Sequence, residues 1–254
     1  MNEVVNKATD AKKEKAKIKI RRNLHNSSEI IMNAEQVDVA IRGKLKLKDL
    51  TYVFLKRTFD IICGLIGVIF LIPLIIIVKV VSLLSGDFKT IFYFQKRVGK
   101  NGKEFKLYKF RSMVSNSDEV LKQILKTDKK MAKEWKENQK FENDPRITKI
   151  GNILRKTSLD EVPQFINILK GDMSMIGPRP LIPGELDRHK GNHAIYESVR
   201  PGITGWWACN GRSSTTYEER LDLEYYYVRN RGLWLDIKCV FKTISAVITR
   251  KGVK

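Results

Sequence analysis

Asp160 and Glu161 form an adjacent acidic pair within Arg155-Lys-Thr-Ser158-Leu-Asp-Glu-Val-Pro163. Leu159, Val162, Phe165, Ile166 and Leu169 recur behind them at helical spacing, so the pair is expected where a helix begins. Ser158 and Glu161 have the spacing of a capping box. Pro163 argues against Ser158 as the cap, because a start nearer Asp160 puts the missing proline N–H where none is needed. On either placement a helix N-terminus favours the ionised carboxylate, and Arg155 and Lys156 are close enough to reinforce it. Aspartate also caps helices routinely, and these residues alone favour that plainer role. Three arginine clusters shift the balance: Gly177-Pro178-Arg179-Pro180, Arg200-Pro201-Gly202-Ile-Thr204-Gly205 and Asn210-Gly211-Arg212-Ser213-Ser214. Glycine lets backbone donors approach an anion, and arginine grips phosphate with a rigid two-pronged fork. Each cluster alone is an ordinary turn. Together with an acidic pair and a membrane segment they point to a phosphorylated substrate handled at a lipid surface.

That membrane segment is the one long apolar run, Ile61 to Val78, without a charge and bounded by Asp60 and Lys79. As a straight helix it reaches ~27 Å, the lower edge of what crosses a hydrocarbon core of ~30 Å. It is apolar on every face, which disfavours a core helix. Pro73 removes a backbone donor and biases Ile72 away from helical geometry, so a kink that lets the segment enter and turn back competes with a crossing. Residues 1–50 read as a basic leader, a solvated tail or a tether to anionic lipid. Residues 51–85 are the anchor and residues 86–254 a cytoplasmic catalytic domain. In that domain Gly99 to Gly102 marks a hairpin turn. Helical spacing covers the stretch from Ser117 to Phe141, two short helices flank the acidic pair, and two more helices precede the C-terminus, the last amphipathic with a basic end. The expected fold is therefore α/β, α-rich, anchored by one re-entrant or spanning helix, with amphipathic helices at the interface.

The 254 residues carry 48 Lys and Arg against 28 Asp and Glu, a net charge of +20, with 43% hydrophobic residues. This excludes a polytopic membrane protein and a wholly disordered chain, and it calls for a polyanionic partner. Cys63, Cys209 and Cys239 are scattered and odd in number, so neither a zinc knuckle nor a disulfide framework is indicated. His189 and His193 are four apart but lack a glutamate between them and enclose Gly191, which argues against a helical zinc site. Trp206-Trp207 and Tyr225-Tyr226-Tyr227 divide between interfacial and core roles. No phosphate loop of the GxGxxG or GxxxxGK[ST] kind occurs, and no nucleic-acid module is recognisable.

Taken in order, KRTFDIICGLIGVIFLIPLIIIV, FQKRVGKNGKEFKLYKFRSM, DPRITKIGNILRKTSLDEVPQFINILKGDMSMIGPRP, RPGITGWWACNGRSS and LEYYYVRNRGLWLDIK resemble the bacterial sugar transferase family, the monotopic phosphoglycosyl transferases that prime capsule, exopolysaccharide and O-antigen assembly. The resemblance runs from about Lys56 to the end. It implies transfer of a sugar 1-phosphate from a UDP-sugar to undecaprenyl phosphate at the cytoplasmic face of the cell membrane, with UMP released. It implies Asp160 as a nucleophile that forms a phosphosugar intermediate, and Asp160 and Glu161 as ligands of Mg²⁺. Arg155, Arg179 and Arg212 would bind phosphate, with Arg200 a weaker candidate. It implies a membrane helix broken at Pro73 that enters and leaves on one face. The stretch between Met113 and Arg155 and the NGRSS form resemble members that transfer galactose or glucose 1-phosphate. N-acetylated and diamino sugars, and a non-catalytic adaptor, stay open as alternatives. Anionic lipids, a second copy of the chain and polysaccharide-assembly proteins are admissible partners.

Overall fold

The computed structural model describes residues 47–138, 141–189, 191–211 and 215–248. The chain divides into two units, Met1–Lys48 and Asp49–Lys254. The first lies almost wholly outside the described residues, and the basic leader with it.

The second unit is helix-rich with two small sheets. It opens with α1 (Leu47–Leu84), one continuous helix with Pro73 inside it. The helix therefore starts within the stretch assigned to the leader, and Pro73 does not end it. One long face of α1 is buried against the rest of the unit. Leu71 and Val78 pack with Ile91, Phe110 and Leu154, and with the flanking Leu159, Val162 and Ile166. Burial of side chains of this size is worth ~1.5–3 kcal/mol each. The opposite face, including Ile62, Leu65, Ile69, Phe70, Ile72, Ile76 and Ile77, is exposed apolar surface. By length and composition α1 is the one helix among the described residues able to cross a membrane.

Polar ties fix the N-terminal half of α1. Arg57 donates to the carbonyls of Ile168 at 2.8 Å and Leu169 at 2.9 Å. Asp60 accepts from the Ser174 hydroxyl and the Met175 N–H, each at 2.9 Å. Lys56 meets Asp236 at 2.8 Å.

Strands β1 (Phe92–Val98) and β2 (Glu104–Phe110) form the expected antiparallel hairpin, in register from Phe92 opposite Phe110 to Val98 opposite Glu104. Its turn uses positive φ at Asn101 (59°) and Gly102 (71°), as the Gly-Lys-Asn-Gly signal requires. The apolar spacing from Ser117 onward becomes two helices, α2 (Ser117–Thr127) and α3 (Lys129–Asn138), because the Asp128 carboxylate accepts from the N–H groups of Lys130 and Met131 and starts the second. Helices α4 (Lys149–Lys156) and α5 (Gln164–Lys170) flank the acidic pair.

Two three-residue strands, β3 (Ser174–Ile176) and β4 (Gly202–Thr204), pair in parallel. No strand is legible in these stretches from sequence, since three residues carry no readable alternation. Between them lie the short helices α6 (Glu185–Arg188) and α7 (His193–Tyr196). Three helices close the described chain. They are α8 (Trp206–Asn210), α9 (Tyr217–Asn230), opened by a Thr216–Glu219 capping box, and α10 (Leu233–Ile248). On α10, Trp234 and Phe241 are each 69% exposed beside Leu233 and Ile244, an apolar stripe matching the expected amphipathic helix.

Candidate active site

The link between α4 and α5 makes the site. Thr148 caps α4, accepting from the Gly151 N–H at 3.0 Å. Gly151 is required there, because a Cβ would lie 1.9 Å from the Ser112 carbonyl oxygen. After α4, Ser158 takes a left-handed conformation (φ 58°, ψ 16°), unusual for a residue with a side chain. The chain then makes a single 3₁₀ turn, Leu159–Glu161, before α5. Leu159 and Val162 point into the cluster shared with α1. Asp160 and Glu161 are thereby left to face Lys109 of β2.

Lys109 Nζ is 2.6 Å from Glu161 Oε1 and 3.9 Å from Asp160 Oδ2. Its position is set by Asn167 of α5, which is fully buried. Asn167 Nδ2 donates to the Lys106 carbonyl at 2.7 Å, and its Oδ1 accepts from the Tyr108 N–H at 3.0 Å. The helix following the acidic pair thus clamps the strand that carries the lysine. Arg155 Nε donates to Ser112 Oγ at 2.8 Å, and the Arg155 charge also acts on Asp160.

The Asp160 side chain is 14% exposed, open enough to be reached from solvent. Burial pushes its pKa above the ordinary aspartate value. Lys109 pulls it down, Glu161 pushes it up, and Arg155 pulls it down, with a net rise. Arg155 favours the charged form, as expected from sequence, and burial outweighs it. The pair sits in a separate turn rather than in the first turn of α5, and the cation that acts most strongly is Lys109. The Ser158 side chain makes no capping bond, so the capping-box spacing with Glu161 does not become one.

The structure brings Asp160, Glu161 and Arg155 together and adds Lys109, which sequence reasoning left unmarked. Arg179 has an exposed side chain whose charge acts on Arg97 and Glu224, and among the described residues no direct contact joins it to Asp160. Arg200 Nε donates to the Gly171 carbonyl at 2.7 Å, at the end of α5 opposite the acidic pair, so it is not assembled with Asp160. Arg212 lies outside the described residues. His193 is held between Asp187 and Glu197, at 2.6 Å from each, and these two acids raise its pKa. The paired acids occupy different ring nitrogens.

Among the described residues no group of three or more His, Cys, Asp or Glu is placed to hold a metal. Mg²⁺ needs only one or two carboxylates when water and substrate phosphates complete its shell. Asp160 and Glu161 converge on one cation, the Lys109 ammonium, and Glu161 repels the charge on Asp160, so the donor set suits such an ion.

The family model described as Bacterial sugar transferase matches residues 51–250. A UDP-galactose-lipid carrier transferase of Erwinia amylovora is 47% identical over 199 residues, which cover 78% of this chain and 41% of that protein. The exopolysaccharide production protein ExoY of Sinorhizobium fredii is 41% identical over 197 residues, 78% of this chain and 87% of that protein. A UDP-glucose:undecaprenyl-phosphate glucose-1-phosphate transferase of Escherichia coli is 38% identical over 214 residues, 78% of this chain and 41% of that protein. The match thus spans well under half the length of the first and third relatives and most of the second. Because the family match runs from α1 into the last residues after α10 and takes in the whole Asp160 turn, this chain belongs to the bacterial sugar transferase family.

Proposed function

We propose that the protein is a phosphoglycosyl transferase that moves a sugar 1-phosphate from a UDP-sugar to undecaprenyl phosphate and releases UMP. The observation that carries this reading is the Asp160 carboxylate, partly exposed, with Lys109 and Arg155 acting on it and Glu161 beside it. In the first step Asp160 Oδ attacks the phosphorus bonded to the sugar. The bond from that phosphorus to the bridging oxygen breaks, and UMP leaves with the electron pair. In the second step an oxygen of undecaprenyl phosphate attacks the same phosphorus, the aspartyl–phosphorus bond breaks, and Asp160 is restored. Lys109 and Arg155 offset charge that builds on the phosphoryl oxygens, and Arg179 holds donor phosphate from its stiff turn. Asp160 and Glu161 would hold Mg²⁺, which when bound neutralises diphosphate charge.

The exposed face of α1 lies in the membrane, and the exposed stripe of α10 rests on its surface. We place the protein at the cytoplasmic face of the cell membrane, with α1 re-entrant. Galactose is the favoured sugar and glucose the next, since the chain is similar to relatives named for each. An N-acetylgalactosamine relative, 33% identical over 242 residues, keeps N-acetylhexosamine in the test panel.

The test is UMP release from a panel of UDP-sugars with undecaprenyl phosphate and Mg²⁺, using the full chain in detergent or nanodiscs. UDP-galactose or UDP-glucose is expected to turn over, and removing divalent ions with a chelator to stop it. Asp160→Asn and Asp160→Ala are expected to abolish release while membrane association persists. Turnover retained in either variant removes Asp160 from the chemistry. Failure to trap a phosphosugar on the wild-type protein, with turnover intact, leaves the transfer but eliminates the covalent step.

A further inference from the structure

The Arg179 peptide is gripped on both sides. Within Pro178-Arg179-Pro180 only Arg179 owns a backbone N–H, and that N–H donates at 3.0 Å to Oε1 of Glu224 on α9. The Arg179 carbonyl accepts at 2.8 Å from the hydroxyl of Tyr196 on α7. The neighbouring carbonyls are taken as well. Arg97 of β1 donates to the Pro180 carbonyl at 3.1 Å, and the Gly202 N–H donates to the Pro178 carbonyl at 2.8 Å. Prolines on both flanks fix φ and stiffen the turn further. The side chain of Arg179 nevertheless stays exposed. The backbone is locked, and among the described residues no hydrogen bond or ion pair holds the guanidinium.

Glu224 is costly for a purely structural acceptor. It is 1% exposed, and its second oxygen, Oε2, has no hydrogen-bond partner. A neutral acceptor would satisfy one N–H with far less desolvation. Burial pushes the Glu224 pKa up to about 7, against the charges of Arg220 on its own helix and Arg179 in the turn, with the Cys209 thiol of α8 and the Tyr196 hydroxyl of α7 also facing it.

We propose that Glu224 and Tyr196 are positioning residues for donor binding, fixing the direction in which the Arg179 guanidinium leaves its turn towards the phosphates of the UDP-sugar. This rests on the reading that Arg179 binds donor phosphate, and the experiment separates the two. KM for the UDP-sugar and kcat are measured for Arg179→Ala, Glu224→Met, Glu224→Gln and Tyr196→Phe, and for Arg179→Ala combined with Glu224→Met. A thermal unfolding curve in the same detergent is recorded for each. Glu224→Met and Tyr196→Phe are expected to raise donor KM about fivefold to tenfold with kcat within about twofold, the pattern of a lost binding contact. Glu224→Gln keeps an acceptor oxygen and is expected to stay within about threefold of wild type. In the Arg179→Ala background, Glu224→Met is expected to add nothing to KM.

Donor KM unchanged by Arg179→Ala overturns the role of Arg179 itself. If Arg179→Ala raises KM but Glu224→Met and Tyr196→Phe do not, the positioning inference alone falls. It falls equally if their effects add in full to that of Arg179→Ala, or if Glu224→Gln is as damaging as Glu224→Met. Tyr196→Phe removes a single oxygen and carries the test by itself if Glu224→Met does not fold.

Discussion

At the scale of single residues the proposed chemistry depends on whether Asp160 is charged. Burial raises its pKa, Lys109 opposes that rise, and Glu161 adds to it. A nucleophilic carboxylate acts in its ionised form. Activity is therefore present above the folded-state pKa and lost as pH falls through it, and that loss begins higher than for an ordinary aspartate. Replacing Lys109 with Met deletes the strongest charge that lowers the pKa. The acid limb of kcat/KM is expected to move to higher pH, alongside a drop in kcat. Replacing Glu161 with Gln deletes a like charge and is expected to move the same limb to lower pH, whatever it does to metal binding. Profiles of UMP release between about pH 5 and pH 8 check both signs, and a limb that moves the same way in both variants contradicts this assignment. The acidic pair was legible because its members are neighbours in the chain. Lys109 was not, because it comes from a strand 52 residues before Glu161 and meets it only through tertiary structure. Asn167, the clamp that sets the strand, was hidden as one polar residue inside an apolar helical pattern.

At the scale of elements the acidic pair is supported by α5, and α5 is held by α1. Gly64 and Gly67 make that approach possible. A Cβ at Gly67 would lie 2.2 Å from the Phe165 ring, and one at Gly64 would lie 2.6 Å from Leu169. At the C-terminal end of α5, Arg57 takes two carbonyls and Arg200 takes that of Gly171. These bonds satisfy acceptors that a helix end would otherwise leave open. Arg200 thus spends a guanidinium donor on the scaffold, although its residue type and glycine neighbours resembled a phosphate site in the sequence. Gly67→Leu is expected to force α1 and α5 apart at a cost of about 1–3 kcal/mol, seen as a lower unfolding midpoint. Because Leu159 and Val162 pack against α1 in front of α5, UMP release is expected to fall more than the loss of folded protein explains. Wild-type rates at an unchanged midpoint show that the two helices do not need their close approach. The helices themselves were readable from apolar spacing, whereas β3 and β4 were not, since their pairing depends on neighbours far apart in the chain and on only three residues each.

At the scale of the whole molecule the family was legible and the topology was not. Motifs in order announce a family, but an apolar run at the lower limit of a crossing, with a proline inside, fits two arrangements equally well. The packing of α1 supports the re-entrant arrangement proposed above. Lys56, Arg57 and Asp60 bond to Asp236, α5 and β3, while Leu71 and Val78, further along the same helix, pack with Phe110 and Leu154 of the same compact unit. Just past the helix, Asp87 pairs with Arg111 at 2.9 Å. From Lys56 to Val78 a straight helix rises ~33 Å, about the depth of the hydrocarbon core. If α1 crossed the bilayer, one of these two groups of contacts would have to form on the far side, away from the unit that supplies both. Both flanks of α1 are therefore expected on one side of the membrane. Single cysteines at Leu50 and Phe88, which are 49% and 75% exposed, report the two flanks once the three native cysteines are replaced. A membrane-impermeant maleimide is expected to label neither position in intact cells and both in inverted vesicles. Labelling of one flank from outside, with the other reached only in inverted vesicles, establishes a crossing helix. The contacts at one end of α1 would then have to break in the membrane.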